Sequence, residues 1–129
     1  MLLDTHTLLW LLDDETALGP KARSLINSAS AVHASAASAW ELAIKAARGR
    51  FKASPDFVGQ VNEAGLVWLS VTTRHAWAVR TLSGLPHRDP FDRLLVAQAA
   101  DEQMVLLTAD RAILAATVSP AVTVINARM

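Results

Sequence analysis

The sequence contains no cysteine, which excludes a disulfide framework and a thiolate metal site and gives no sign of an oxidising compartment. It also lacks net charge, with 12 Lys+Arg set against 12 Asp+Glu. The whole-molecule field therefore exerts no pull on nucleic acid, and a polyanion must be held by a local basic patch or through metal ions. Long apolar runs are missing too. The stretch at residues 8–12 is far too short to span a bilayer, and Asp4 stands where a leader would be basic, so the expectation is a cytoplasmic, unprocessed chain without a membrane partner. No repeat, low-complexity segment or charge run marks a linker. What is present, 129 residues with 52% hydrophobic and 19% charged side chains, suits one globular domain over residues 1–129.

The chain opens on Met1-Leu2-Leu3-Asp4-Thr5, a short apolar run that ends in an acid and turns at once into a helical pattern. Further apolar stretches at residues 31–34, 66–71, 105–107 and 122–125 read as strands, with helical periodicity between them. In the helix expected over residues 36–48, Trp40, Ala43, Ile44 and Ala47 have the spacing of a buried face, and Gly49 is placed as its left-handed cap. Gly65 closes another helix that opens at residues 55–58. Residues 73–82 are helical again, with Trp77 on a face expected to be core, and a long helix from Asp89 turns Leu95, Val96 and Ala99 inward. Strands alternating with helices in a chain this short predict an α/β fold, a three-layer α/β/α sandwich around a mostly parallel sheet of about five strands. In such sheets the ligand site lies outside the carboxyl ends of the strands, where Asp4 and Asp110 fall.

Four acids stand near helix starts: Asp4, Glu41, Asp92 and Asp110. Each alone has a structural explanation. Asp4 and Asp110 suit N-caps, Asp89 with Pro90 suits a cap with Asp92 in the first turn, and Ser38-Ala39-Trp40-Glu41 matches a capping box. Together, four carboxylates at one sheet edge would repel unless a cation neutralised them. Without histidine or cysteine in support they form a hard oxygen set, which favours Mg²⁺ or Mn²⁺ over zinc.

The segments Met1-Leu-Leu-Asp4-Thr5-His6, Ser38-Ala-Trp-Glu41-Leu-Ala-Ile-Lys45, His87-Arg-Asp-Pro-Phe-Asp92-Arg93-Leu-Leu-Val-Ala-Gln-Ala99 and Leu107-Thr108-Ala-Asp110 resemble the PIN domain, and more narrowly the VapC toxins of type II toxin–antitoxin pairs. The resemblance spans essentially the whole chain in order, the block at residues 87–99 being its most specific part. It implies an endoribonuclease dependent on Mg²⁺ or Mn²⁺, in which Asp4, Glu41, Asp92 and Asp110 occupy the family's acidic quartet. Asp4 and Asp92 would contact metal directly, Glu41 would complete the shell or orient a water, and Asp110 would act through water or a second ion. Thr5 and Thr108 are candidates to orient the carboxylates, and His87, Arg88 and Arg93 to hold RNA phosphate. Asp89, in the same block as Asp92, is the ambiguous acid: a register that faces Asp92 into the site turns it toward the helix mouth, and it is read as the cap. The implied chemistry is metal-assisted hydrolysis of RNA to a 5′-phosphate and a 3′-hydroxyl.

The densest basic stretch, Lys45-Ala-Ala-Arg48-Gly49-Arg50-Phe51-Lys52, suits an RNA grip but equally a solvated helix end that complements the dipole. The resemblance further implies a cognate antitoxin partner and a homodimer. Among the tryptophans, Trp40 and Trp77 fall on faces expected to be core, Trp68 in a buried strand, and Trp10 on the first helix, the easiest to place at a surface. Two rivals remain open. One is a catalytically silent PIN-like module kept for protein binding, against which the retention of all four acids argues. The other, a haloacid dehalogenase-like phosphatase, needs a second aspartate two residues after the nucleophilic one, where this chain has His6.

Overall fold

In the computed structural model of the chain, which describes residues 1–13, 15–86 and 88–129, the opening apolar run becomes β1, Leu2–Leu3. Its two side chains alternate across the sheet, Leu2 joining one apolar cluster and Leu3 the other. The remaining strands are β2 His33–Ser35, β3 Val67–Leu69, β4 Leu106–Thr108 and β5 Val124–Asn126. All but β4, which is as long as expected, are shorter than the apolar stretches that announce them. Neighbours pair in parallel throughout, in the order β3-β2-β1-β4-β5, because each strand is followed by helical chain that returns to the same end of the sheet.

The helices are α1 Thr5–Asp13, α2 Pro20–Ser28, α3 Ala36–Ala47, α4 Phe57–Glu63, α5 Thr73–Ala78, α6 Pro90–Asp101 and α7 Arg111–Ala115. One face of the sheet, through Leu2 and Leu106, packs on Ala37 of α3, Leu95, Val96 and Ala99 of α6 and Ile113 of α7. The other, through Leu3, Ala34 and Leu107, packs on Leu8 of α1, Ala22 of α2 and Val61 of α4. The result is the expected α/β/α sandwich with five strands, all parallel. Each fully buried leucine contributes about 1.5–3 kcal/mol relative to exposure. Gly49 and Gly65 have φ of 71° and 79° after α3 and α4, the left-handed conformation that ends a helix at least cost in glycine.

Two side-chain expectations fail. Trp40 is 61% and Trp77 67% exposed. In α3 the buried residues are Ala37, Ser38, Glu41 and Leu42 rather than the Trp40, Ala43, Ile44, Ala47 stripe. The helix is rotated to turn its acid toward the sheet end, and hydrophobic spacing alone carries no record of that demand. Trp68 is only partly buried, since β3 is an edge strand, and packs edge-on against Phe57 at 6.3 Å between ring centroids.

Gln98, fully buried on α6, joins three elements across the layer. Its Oε1 accepts from the Ser35 hydroxyl at 2.5 Å, and its Nε2 lies 3.3 Å from both the Ser70 carbonyl and His75 Nδ1. Ser35 Oγ also accepts from the Ala37 N–H at 3.0 Å as the cap of α3. Gln98→Ala leaves these buried partners without the amide, and urea unfolding is expected to show a loss of about 2–4 kcal/mol.

Candidate active site

Strand order reverses between β1 and β4, with β2 and β3 on one side and β5 on the other. The crevice outside the carboxyl ends of such a pair is where α/β sheets hold ligands. Asp4 leaves β1 there and is 4% exposed. Its Oδ1 accepts from the Thr7 N–H at 2.8 Å, at the start of α1, and its Oδ2 accepts from the Thr108 hydroxyl. Thr108 Oγ1 in turn accepts from the Asp110 N–H at 3.0 Å, so one hydroxyl at the end of β4 registers both acids. Asp110 Oδ1 accepts from the Ile113 N–H at 2.9 Å as the cap of α7. The capping explanations of Asp4 and Asp110 thus hold, but each accounts for one oxygen of a carboxylate whose residue also lines the crevice.

Glu41 caps nothing. It lies in the second turn of α3, whose cap is Ser35, so the capping box suggested by Ser38 and Glu41 does not form. Ser38 is buried and its Oγ stands 2.9 Å from Thr5 Oγ1. Because a carboxylate only accepts, Thr5 donates its proton to Glu41 Oε1 at 2.7 Å. Glu41 Oε2 pairs with Lys45 Nζ at 2.9 Å, one helical turn on.

Asp92 enters from the first turn of α6. Asp89 caps that helix, its Oδ1 accepting from the N–H groups of Phe91 and Asp92 at 2.9 and 3.2 Å. The cap reading is right, and Asp89 also lines the crevice. One pocket of about 220 Å³ brings together Asp4, Glu41, Asp92 and Asp110 with Asp89, Thr5, His6 and Lys45. Thr108 stands immediately behind, in contact with Asp4.

The charge crowding registers on one group. Asp92 is pushed up from 3.8 to about 7, first by burial and then by the carboxylates of Asp89, Asp110, Asp4 and Glu41. Among the described residues lining the pocket five acids meet one lysine, Lys45, which pairs with Glu41; such a site favours a divalent ion, and its all-oxygen carboxylate chemistry fits Mg²⁺ or Mn²⁺.

The structure describes two of the three expected phosphate holders. Arg93 Nη1 donates to the Leu85 carbonyl at 3.3 Å, and neither it nor the exposed Arg88 is among the described residues lining the pocket. His87 lies outside the described residues. Two residues not singled out for the site, Ser38 and Lys45, are positioned at it. Their signal was spacing, since Ser38 stands three residues before Glu41 and Lys45 four after, on the same helical face.

A second acid-and-histidine group, His75 with Asp101 and Glu102, has metal-like composition. The backbone N–H of Thr72 donates to His75 Nδ1 at 3.1 Å, which places the ring proton on Nε2, directed at Glu102 Oε1 at 2.8 Å. Arg74 pairs with Asp101 at 2.7 Å and with Glu102 at 3.4 Å. That cluster is a clamp between α5 and α6 and offers no ring nitrogen to an ion.

A carboxyl raised in the folded state contributes stability that is fully present below its unfolded value near 4 and is lost as pH rises through about 7. Asp92→Asn is therefore expected to raise the melting temperature of metal-free protein at about pH 8, by a few degrees for roughly 1–2 kcal/mol after allowance for solvent screening. The gain should shrink as pH falls toward about 4. A scanning-calorimetry series across that range checks it, and an unchanged or lowered melting temperature at the alkaline end refutes the crowding.

Comparisons with known proteins agree with this architecture. A chain of the VapBC2 complex from Rickettsia felis bound to promoter DNA is similar at a TM-score of 0.64 and 13% identity, over 97% of this chain and 96% of that one. A chain of DNA-bound VapBC from Salmonella typhimurium is similar at 0.64 and 17%, over 97% and 96%. VapBC-5 from Mycobacterium tuberculosis gives 0.54 and 20%, over 99% and 97%. The search of curated proteins gives no match. The PIN domain pattern matches residues 1–118, and the chain belongs to the PIN domain family.

Proposed function

We propose that the protein is a Mg²⁺- or Mn²⁺-dependent endoribonuclease of the VapC kind, the toxin of a type II toxin–antitoxin pair. The observation that carries the reading is the meeting of Asp4, Glu41, Asp92 and Asp110 in one pocket at the switch point of the sheet, with Asp92 pushed up to about 7 by burial and then by its neighbours. Family membership and the fold shared with chains of VapBC complexes support it. A partner protein that silences the site, a cognate antitoxin, belongs to the same reading, supported by the composition of those complexes. No helix among the described residues is long and apolar enough to cross a membrane, in keeping with a toxin acting in the cytoplasm.

In this reading Asp4, Asp92 and Glu41 hold the ion, with Asp110 completing the set. A bound divalent ion supplies charge neutralisation at the phosphate and lowers the pKa of water. The chain does the rest. Thr108 and the Thr7 N–H fix the Asp4 carboxylate in one orientation before substrate arrives. Thr5 fixes one oxygen of Glu41 and Lys45 the other, leaving Glu41 able to orient the attacking water and Lys45 able to turn toward an incoming phosphate. Asp92, raised to about 7 by burial and then by the neighbouring carboxylates, would have to lose its proton to serve as a ligand, so its part in holding a cation would strengthen as pH rises through about 7. Hydrolysis leaves a 5′-phosphate and a 3′-hydroxyl.

Purified protein freed of partners, incubated with cellular RNA, is expected to cut only when Mg²⁺ or Mn²⁺ is present. Asp4→Asn should lower the rate by at least on the order of 10²–10³-fold. Thr108→Val, which loosens Asp4 without removing it, should cost about 10–100-fold. Mapping of the cut ends reads the chemistry directly. Cleavage that persists in chelator or in Asp4→Asn sinks the proposal, and a wild-type protein that neither cuts nor binds an ion leaves the protein-binding module in its place.

A further inference from the structure

The acid pocket has neighbours. It adjoins a groove of about 170 Å³ that shares Glu41, Lys45 and Asp89 with it and adds Arg48, Arg50 and Phe91. It also adjoins a groove of about 350 Å³ that shares His6 and Asp110 and adds Trp10 and Arg128. The two flanking grooves have no lining residue in common, so the carboxylates lie between them.

Both flanks carry the same pair of chemistries, an aromatic ring and exposed guanidinium groups. On the first, Trp40 is 61% exposed and meets Phe91 edge to face at 5.1 Å between centroids. Each ring belongs to the residue immediately before a carboxylate of the pocket, Glu41 or Asp92. On the second, the Arg128 guanidinium rides 5.4 Å over the Trp10 ring. The exposed Trp40 ring offers a face to a base, while Lys45, Arg48, Arg50 and Arg128 suit a backbone of phosphates. Four of the 12 Lys and Arg side chains thus flank the cluster of acids, three on one side and one on the other.

We infer that a single strand of RNA runs through the pocket from one flank to the other, with one or more nucleotides held on each side of the phosphate to be cut. A base stacks on the Trp40–Phe91 pair, and Arg48 and Arg50 hold the phosphates next to it. Arg128 and Trp10 hold the strand beyond the acids. The inference rests on the nuclease reading and deepens it. A track open at both ends needs no chain terminus, and it takes unstacked bases that a duplex does not offer.

The test measures binding separately from cleavage. The full chain, in chelator so that nothing is cut, is titrated with fluorescent single-stranded RNA of about 12 nucleotides, with a duplex of the same length, and with polyphosphate as a polyanion without bases. The single strand is expected to bind at least about tenfold more tightly than either of the others. Trp40→Ala should weaken it about tenfold, with Trp40→Phe recovering part of the loss. Arg48→Ala with Arg50→Ala should reduce the slope of log affinity against log salt by about 1.4, and Arg128→Ala by about 0.7. All these side chains are solvent-facing, and circular dichroism confirms that each variant is folded.

Wild-type affinity and salt slope in the Trp40 and Arg48/Arg50 variants overturn the track. So does an equal affinity for the duplex. Variants that bind RNA normally but shift the molecular mass measured by light scattering assign the Trp40 face to protein contact instead. The two proposals fail separately. Loss of binding in the variants without any ion-dependent cleavage by wild type leaves the track standing and removes the nuclease, whereas ion-dependent cleavage with unaffected variants does the reverse.

Discussion

The arrangement of this protein turns on the mutual repulsion of carboxylates held at one point by a rigid sheet. Asp4 and Asp110 follow adjacent parallel strands, and α3 and α6 bring Glu41 and Asp92 to the same place. Nothing in folding favours such crowding, and the rise of Asp92 to about 7, caused first by burial and then by the neighbouring carboxylates, records part of its cost. The fold offsets part of that cost with its own backbone. One oxygen of Asp4, Asp110 and Asp89 accepts from N–H groups at the mouths of α1, α7 and α6, where the helix dipole favours negative charge. Capping and site formation are therefore one arrangement. The cap holds the carboxylate still while its residue still faces the pocket.

The same economy appears in the layer behind. Gln98 ties the cap of α3 to the middle of α6, and through Ser70 and His75 to the end of β3 and to α5. Glu41 and Asp92 sit on the two helices that this buried amide ties together. The neighbouring clamp of Arg74, His75, Asp101 and Glu102 closes α5 onto α6 from outside. Its acids and histidine are used up in that task, which separates a structural charge cluster from the open one at the sheet end.

The uncovered side chains are as informative as the buried ones. A helix can direct only one face to the core, and α3 gives that face to Glu41 and Ser38, leaving Trp40 in solvent beside Phe91. An apolar ring exposed at the edge of an acid pocket, with Arg48 and Arg50 lining the adjoining groove, is suited to a partner with both flat faces and negative charge.

The alternation of apolar runs with helical periodicity, by itself, determined the fold class, since strands joined by helices in so short a chain have few ways to pack other than a parallel sheet between two helical layers. It also placed Asp4 and Asp110, because an acid directly after a buried strand must emerge at the carboxyl edge. The glycines that end α3 and α4 were legible for a similarly local reason, the left-handed backbone they adopt. Rotation of α3 was not legible. Its hydrophobic stripe pointed to Trp40 and Ala47 as core, and only the meeting of α3 with α6 and β1 decided that Glu41 turns inward, held by Thr5 and Lys45. Likewise Asp89 read as a cap with its place at the site undecided, because a sequence shows which backbone groups a side chain can reach but not which distant carboxylates come to share its pocket. Contacts made within a turn of helix or along a strand are written in the order of residues, whereas contacts between elements exist only once the sheet has fixed where each helix lands.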